Sequence, residues 1–481
     1  MRSRPSLPTH VHRSARVALR LTPAQSRRCY AMLRSGGDVW AALIEFNAER
    51  FRRRGAPVFE YAALCREVAG TPVGDLSVTA VRSVVKRYAE GCEETTRRKR
   101  RGERARYPRR RRALLPLRWY AGTFDLDDRR VRVAVARGAP ACWLRLARPM
   151  PYPAEQIRSV TLTAEGGRLY LDVTAEVPVE HHDVDAERIA GVDLGIIHPY
   201  AVAGPTSALV VSGRALRAEE RVHLADTKAR AARMGRKTPR RGQRGSRRWR
   251  KLRAAQRAAE ARHLRRTREA HHIAAKAVVD WALDQRVGRI LIGDPKGIAT
   301  RDVGRRQNRR LRQWRRTHLT NTLVDKATLA GIAVTLVDER GTSSTCPSCL
   351  VSVPKPKGRV FSCGSCGLVA HRDVVGATNI AAKGGGITSV PTLVTHRRAG
   401  TVPARRDRRR HRMDDRRLSC PAPGRPRKTR GSRSSASNSV VGHPATGGAH
   451  VASHSADEEP PSPASNNAEA VVRALARLPI G

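Results

Sequence analysis

The sequence is poor in aromatic residues and lacks any long apolar run. Aromatic side chains make up only 4% of its 481 residues, so a core has to be built mostly from alanine, valine, leucine and isoleucine. No run of about 18 apolar residues is present, which argues against a membrane-spanning helix. The first residues, MRSRPSLPTHVHRSARVALRL, also lack an apolar secretory segment. We therefore expect a cytoplasmic protein with no membrane partner.

Acidic residues are scarce as well. The chain has 42 Asp and Glu against 94 Lys and Arg, which gives a formal net charge of +52. A compact protein with this charge repels itself unless a polyanion neutralises it, so nucleic acid is the expected partner rather than a small-molecule substrate. We expect a nucleoid-associated protein of prokaryotic type, and the length is typical of two to four domains.

Four of the nine cysteines lie in one short window, as CPSC and CGSC separated by thirteen residues. These four are Cys346, Cys349, Cys363 and Cys366. Two CxxC turns can hold one tetrahedral metal ion, and in a cytosolic protein this spacing indicates zinc rather than disulfides. Because a site made of four cysteine ligands has no open coordination position, the ion is expected to stabilise the fold and not to catalyse.

The amino-terminal half divides into four segments. Residues 1–20 are polar and basic and are expected to form a loose arm, while residues 21–112 have mostly helical patterns. Residues 113–180 alternate apolar and polar residues, which predicts a small antiparallel barrel or sandwich. Residues 181–188 are expected to be a linker.

The helical segment is expected to bind nucleic acid. Its run RRKRRGERARYPRRRR is nearly pure positive charge, and Arg109, Arg110 and Arg111 within it are expected to contact phosphate. The alternative for this run is a solvated loop. The same segment contains Gly36 and Gly37, which predict a break in its first helix.

A new domain is expected from residue 189. The strands IAGVD, YAVA, SALVVSG, RILIGD and AVTLVDE are interspersed with basic helices in an order typical of a mixed α/β fold. From residue 385 to 481 the composition shifts to Gly, Ser, Pro, Arg and His. Such a segment cannot bury enough apolar surface to order, so we expect a disordered basic tail there.

The few acidic residues are placed where strands end. Asp193, Asp294 and Glu339 lie at the ends of the first, fourth and fifth strands of this domain, and Asp373 lies at the start of its last helix. Each alone could be a turn, strand-end or helix-dipole residue. In an open α/β sheet, however, such strand ends converge in one crevice. Three or four oxygen ligands there would suit Mg²⁺, and two such ions can hydrolyse a phosphodiester.

Five stretches resemble the TnpB family, which consists of transposon-encoded, RNA-guided nucleases related to type V CRISPR effectors. They are IAGVDLGIIHPYAVA, RILIGDPKGI, VDERGTSSTCPSC, FSCGSCG and HRDVVGATNIAA. The resemblance implies an RNase H-type (RuvC-like) nuclease domain at 189–345, a zinc ribbon at 346–367 and a final RuvC segment at 368–384. It is weaker upstream, where the family has a wedge-like β-barrel with a helical insert.

The resemblance also implies site residues. Asp193 matches the first catalytic aspartate and Asp373 the last, and together they would bind two Mg²⁺ or Mn²⁺ ions. In the fourth strand the family usually has a glutamate followed by an aspartate, whereas this sequence has Gly293 followed by Asp294. Either Glu339 supplies the missing carboxylate from the neighbouring strand, or the site is broken. We prefer Glu339, with Asp294 as the alternative ligand, although strand alternation turns Asp294 to the other face.

The leading hypothesis is therefore a metal-dependent DNA endonuclease guided by an RNA from its own element. The alternative is an inactive RNA-guided DNA-binding protein that acts as a repressor or a transposition accessory factor. A strand-joining transposase fits poorly, because no separate end-binding domain is evident. Five arginines on the helix between the fourth and fifth strands are expected to face phosphate, the alternative being a solvated face: Arg309, Arg310, Arg312, Arg315 and Arg316.

Overall fold

The computed structural model describes residues 7–109, 112–240, 243–294, 302, 304–354 and 358–400. The part of the expected tail from residue 401 onward lies outside the described residues. Among the helices described, none is long and apolar enough to cross a membrane.

Three helices form the first layer of the amino-terminal half. They are α1 (Pro23–Arg52), α2 (Tyr61–Glu67) and α3 (Val78–Arg100). Helix α1 begins with a capping box, in which the Thr22 side chain accepts a hydrogen bond from the backbone of Gln25 and the Gln25 side chain accepts one from the backbone of Thr22. Ser77 caps α3 in the first of these two ways, by accepting a hydrogen bond from the backbone of Ala80.

Helix α1 continues through Gly36 and Gly37 without a break, so the prediction of an interruption is wrong. The reason is a close approach of the chain. A Cβ atom at Gly37 would collide with the carbonyl oxygen of Arg112, and one at Gly36 would lie 2.8 Å from the side chain of Leu117. The two glycines serve packing against the segment that leads into the sheet, and this outweighs their low helix propensity.

Seven strands complete this half. They are β1 (His10–Ala18), β2 (Leu117–Tyr120), β3 (Phe124–Asp127), β4 (Arg130–Val133), β5 (Cys142–Arg145), β6 (Ile157–Glu165) and β7 (Arg168–Pro178). One sheet has the order β1-β7-β6-β2 and a second has the order β3-β4-β5. Both sheets share one hydrophobic core with α1 and α3. Within the described residues the strands do not close into a barrel, so the predicted barrel is not confirmed, and two antiparallel sheets share the core instead.

Most of the expected amino-terminal arm is ordered, which corrects that prediction. β1 pairs antiparallel with β7 along nine residues. Val17 is fully buried, and Arg16 forms ion pairs with Asp172, at 2.6 Å, and with Glu165. The partner strand lies more than 150 residues away, so nothing local in the sequence marks this segment as a strand.

The second half contains a six-stranded sheet. Its strands are β8 (Asp185–Asp193), β9 (Tyr200–Ala203), β10 (Ser207–Ser212), β11 (Val287–Asp294), β12 (Ala333–Asp338) and β15 (Leu393–Arg398). The order is β12-β11-β8-β9-β10-β15. β8, β11 and β12 run parallel, as do β10 and β15, while β9 is antiparallel to both of its neighbours. The expected mixed α/β sheet is confirmed, with β8 beginning inside the expected linker.

Helices cover both faces of this sheet. They are α4 (Arg214–Gly235), α5 (Arg247–Asp284), α6 (Arg305–Gln313), α7 (Arg316–Leu329) and α8 (Arg372–Ala382). Ala190 and Val192 of β8 pack on the side of α5 and α7, whereas Ile189 packs on the side of α8. A hairpin of β13 (Val360–Ser362) and β14 (Val369–His371) precedes α8. Thus the alternation of strand residues decides which face of the sheet each side chain reaches.

The expected disordered tail begins too early at residue 385. β15 pairs in parallel with β10 over six residues, and Ala399 just beyond it is fully buried. The segment LVTHRR is short and half basic, so its composition gave no strand signal.

A truncation tests the contribution of β15. Relative to a chain that ends at Gly400, a chain that ends at Gly384 should melt several degrees lower, because it loses the β10–β15 ladder and the burial of Ala399. Thermal unfolding followed by circular dichroism measures this difference. Equal melting temperatures for the two chains would contradict the pairing.

Candidate catalytic centre and zinc site

Asp193 ends β8 and lies against α8. A Cβ atom at Gly376 of α8 would lie 3.2 Å from Oδ2 of Asp193, and one at Gly191 would collide with the backbone of the same helix. Burial, followed by the charges of Asp373 and Glu339, raises the pKa of Asp193 from 3.8 to about 7. Asp193 is therefore buried against α8 and is influenced by the charges of Asp373 and Glu339.

Glu339, just after β12, fills the space above Gly293. A Cβ atom at Gly293 would lie 3.0 Å from Oε2 and 3.1 Å from Cβ of Glu339. Oε2 is shielded from solvent. The carboxylate thus comes from the neighbouring strand and occupies the volume that a side chain at position 293 would need.

Asp294 is not part of this group. The glycine before it faces α8, since a Cβ atom at Gly293 would lie 2.7 Å from Ile380. Asp294 points the other way and forms an ion pair with Arg316 of α7. The structure therefore does not bring the alternative ligand to the other carboxylates, and it gives Arg316 a protein partner.

Asp373 lies in the first turn of α8 and is 8% exposed. Its carboxylate accepts hydrogen bonds from Nδ1 of His198, at 2.8 Å, and from Nη1 of Arg359, at 2.7 and 3.0 Å. Burial alone would raise the pKa of Asp373, but the hydrogen bond from His198 and the charge of Arg359 lower it below its usual value. The surroundings of Asp373 thus favour its ionised form, whereas those of Asp193 favour its protonated form.

Sequence reasoning missed His198 and Arg359. His198 lies only five residues after Asp193, so its position in the same loop was a usable signal. Arg359 had no such signal, because arginine is common throughout this chain. Its placement depends on the hairpin, where the backbone N–H of Arg372 donates to the carbonyl of Arg359 at 2.8 Å.

The oxygen donors suit hard divalent cations. Asp193, Glu339 and Asp373 supply carboxylates, which are the ligands preferred by Mg²⁺ and Mn²⁺. Burial is the main reason that the pKa of Asp193 is raised, and the charge of a bound dication would lower it again. The residues present therefore fit such an ion.

The pKa of Asp193 makes stability depend on pH. The folded state holds the proton to about pH 7, while the unfolded chain releases it near pH 3.8, so the acid destabilises the fold progressively between these values and fully above pH 7. Without added divalent cations, Asp193→Asn should raise the melting temperature at pH 8 and change it little below pH 4. A gain independent of pH would contradict this assignment.

The four cysteines form one cluster. Their sulfur atoms all lie within 4.8 Å of one another, with 3.5 Å separating Sγ of Cys346 from Cys366 and of Cys349 from Cys363. Tetrahedral zinc with bonds of about 2.3 Å would space its sulfur ligands in this range. Backbone N–H groups of the CGSC turn lower the pKa of Cys363 to about 6, which favours the thiolate that binds metal. The cluster could therefore hold zinc.

The cluster is packed onto α8. Phe361 of β13 is fully buried in a small core with Cys346, Cys363 and Val375 of α8. Arg359, which contacts Asp373, immediately precedes β13. The cysteine cluster and Asp373 therefore both contact the segment of the hairpin and the helix α8.

Zinc content tests this site. The parent chain should carry one zinc ion, and Cys363→Ser should lose most of it because a tetrahedral site then lacks a thiolate. Cys65→Ser changes a cysteine outside the cluster and serves as the matched control. Zinc is measured by mass spectrometry of the purified proteins, and equal zinc in both variants would contradict the site.

A cavity that adjoins the loop after Asp193 is lined by four arginines and by Glu220. The cavity has a volume of about 210 Å³ and is bounded by Gly195, two residues after Asp193. Four arginines line it: Arg217 and Arg221 of α4 and Arg309 and Arg310 of α6. Burial and the nearby charges of Arg221 and Arg359 lower the pKa of Arg217. This crowding of positive charge beside the carboxylates suits an anionic ligand.

The other predicted arginines are placed differently. Arg312 is exposed on α6, Arg315 is partly buried where α7 begins, and Arg109 is exposed after α3. Arg110 and Arg111 lie outside the described residues. Arg217 and Arg221 were not singled out from the sequence, because they lie in one of several basic helices.

Parts of this chain are similar to known proteins. The family model described as Cas12f1-like, TNB domain, matches residues 317–380. The chain is 33% identical over 113 residues to the CRISPR-associated endodeoxyribonuclease Cas12f1 of Sulfoacidibacillus thermotolerans, covering 23% of this chain and 26% of that protein. It is 30% identical over 118 residues to a TnpB-like protein of Methanocaldococcus jannaschii, covering 24% and 42%. The alignments span less than half the length of either relative.

The structure is similar to a cryo-EM structure of Cas12f1 in complex with sgRNA and target DNA. The TM-score is 0.55, and the match covers 75% of this chain and 83% of that one at 15% sequence identity. At this level of identity, the similarity concerns the fold.

Proposed function

We propose that this chain, which belongs to the family of TnpB proteins and type V CRISPR effectors, is an RNA-guided, metal-dependent DNA endonuclease. It is encoded by a transposon and acts in the cytoplasm on nucleoid DNA. The observation that carries the proposal is the packing of Asp193 against α8, the helix that carries Asp373, with Glu339 packed over Gly293 of the adjacent strand. Grouping acids in this way is costly unless cations bind there.

The three carboxylates would hold two divalent ions, Mg²⁺ or Mn²⁺. When bound, such a pair activates water and stabilises the leaving oxygen of a phosphodiester. Asp193 would be held in its ionised form by the charge of such ions, which opposes the effect of burial on its pKa. His198 and Arg359 keep Asp373 ionised and oriented.

The proposed partners are a guide RNA and a target DNA. The similarity in fold to Cas12f1, whose structure was determined with sgRNA and target DNA, supports this pairing. The net charge of +52 and the arginine-lined cavity beside the carboxylates also support it. Base pairing with the guide would read the sequence, and the protein would contact mainly the backbone.

A second candidate is an RNA-guided DNA-binding protein that does not cut and acts as a repressor or a transposition accessory factor. Two observations favour it. Position 293 carries no carboxylate, and Arg359 occupies both oxygens of Asp373. If Arg359 stays there, it competes with cations for this carboxylate.

A cleavage assay separates the two candidates. The protein is purified with its RNA and incubated with Mg²⁺ and matching target DNA. The parent should cut, and Asp193→Ala, Glu339→Ala and Asp373→Ala should each lower the rate by about 100-fold or more, as expected when an electrostatic stabiliser is removed. Asp294→Ala, next to the vacant position but on the opposite face, is the matched control and should cut at nearly the parental rate.

A swap of side chains tests the role of Glu339 directly. In a Glu339→Gly background both the carboxylate and Cβ of residue 339 are removed and only the end of the Ile380 side chain has to shift, so Gly293→Glu should restore part of the lost cleavage. In the parent the same substitution should be harmful, because Glu339 already fills that space. Tight DNA binding without any cutting by the parent would instead establish the second candidate.

A further inference from the structure

Two imidazoles lie beside Asp373 that the proposed carboxylate chemistry does not use as ligands. One ligand atom from each of His198, His371 and Asp373 can be chosen so that all three lie within 4.8 Å of one another. The two rings are 5.3 Å apart between centroids, and both histidines are partly buried. This is a compact set of two nitrogen donors and one oxygen donor.

The backbone builds this set from three elements. His198 lies in the loop from β8 to β9, which turns tightly because Gly195 has no side chain; a Cβ atom there would lie 2.8 Å from the carbonyl oxygen of His198. His371 ends β14 and caps α8, where its Nδ1 accepts the backbone N–H of Asp373 at 3.3 Å. The hairpin strand β14, the helix α8 and the loop after Asp193 therefore meet at one point.

The donor types discriminate between cations. Mg²⁺ takes oxygen ligands in strict octahedral geometry and retains water, whereas imidazole suits transition metals. Two histidines with one carboxylate form a ligand set typical of a divalent transition ion with open positions. We infer that His198 and His371 bind, together with Asp373, one cation of this centre, and that the position prefers a transition-metal dication to Mg²⁺.

This inference deepens the proposed function and rests on it only for what the cation does in cleavage. Binding itself is independent of cutting. Arg359 is the main competitor, because its Nη1 contacts both oxygens of Asp373, while Nε of Arg372 lies 3.7 Å from Oδ1. A cation can share Asp373 only if Arg359 releases at least one oxygen, so Arg359→Gln should strengthen binding.

The experiment uses Mn²⁺ as the probe on the full-length, zinc-loaded chain. Mn²⁺ is paramagnetic and has low affinity for thiolates, so it should leave the cysteine cluster intact. Pulsed electron paramagnetic resonance should detect nitrogen bound directly to Mn²⁺ in the parent. His198→Asn and His371→Asn should each weaken this signal, and asparagine at position 371 retains a capping side chain.

Affinity gives an independent measurement. The dissociation constant of Mn²⁺ should rise about 10- to 100-fold in each histidine variant, in line with the effect of altering a metal site, while that of Mg²⁺ changes little. His181→Asn, in an exposed segment outside the set, is the matched control and should match the parent. Asp373→Asn should remove the nitrogen signal, which assigns the ion to this position.

The outcomes separate the inference from the proposed function. Mn²⁺ that fails to bind, or binds without a nitrogen signal in the parent, overturns the inference even if the protein cuts DNA. A nitrogen signal that is unchanged in both histidine variants also overturns it. A parent that shows the signal and loses it in the variants, yet never cuts target DNA, supports the inference while the proposed endonuclease fails.

Discussion

The cost of placing acids together in a partly buried crevice governs this half of the molecule. Asp373 is compensated by His198 and Arg359, and its pKa is lowered. At Asp193 burial dominates over the charges of Arg372 and Arg359, and its pKa is raised to about 7. The burial of Asp193 depends on α8 lying very close to β8, and Gly191 and Gly376 allow this close approach. The immediate surroundings of these two acids thus shift their pKa values in opposite directions.

The strand β11 has no side chain at Gly293, and a residue from outside the strand occupies the space. Glu339 comes from just beyond the adjacent strand and fills the same volume from a different backbone position. The carboxylate therefore stays in the crevice although its place in the sequence changes. A comparison that scores only aligned positions would count this site as incomplete, whereas the packing shows where a carboxylate lies.

Much of this arrangement could be predicted, because strand ends and cysteine spacing are local signals. The pattern IAGVD predicted the strand β8 that ends at Asp193, and the two CxxC turns predicted the cysteine cluster. β1 and β15 could not be predicted, since each is defined by a distant partner strand and not by its own composition. The predicted break at the glycines of α1 was wrong for the same reason, because these glycines allow a close approach to residues far along the chain. His198 was missed although it follows Asp193 by only five residues, because its contact with Asp373 joins residues 175 positions apart in the chain.

A short hairpin connects the cysteine cluster to Asp373. β13 and β14 are only three residues each, and Phe361 of β13 packs in one small core with Cys346 and Cys363. Arg359 at one end of this hairpin and His371 at the other both contact Asp373. The orientation of this carboxylate therefore depends on a segment whose own core consists largely of cysteine side chains.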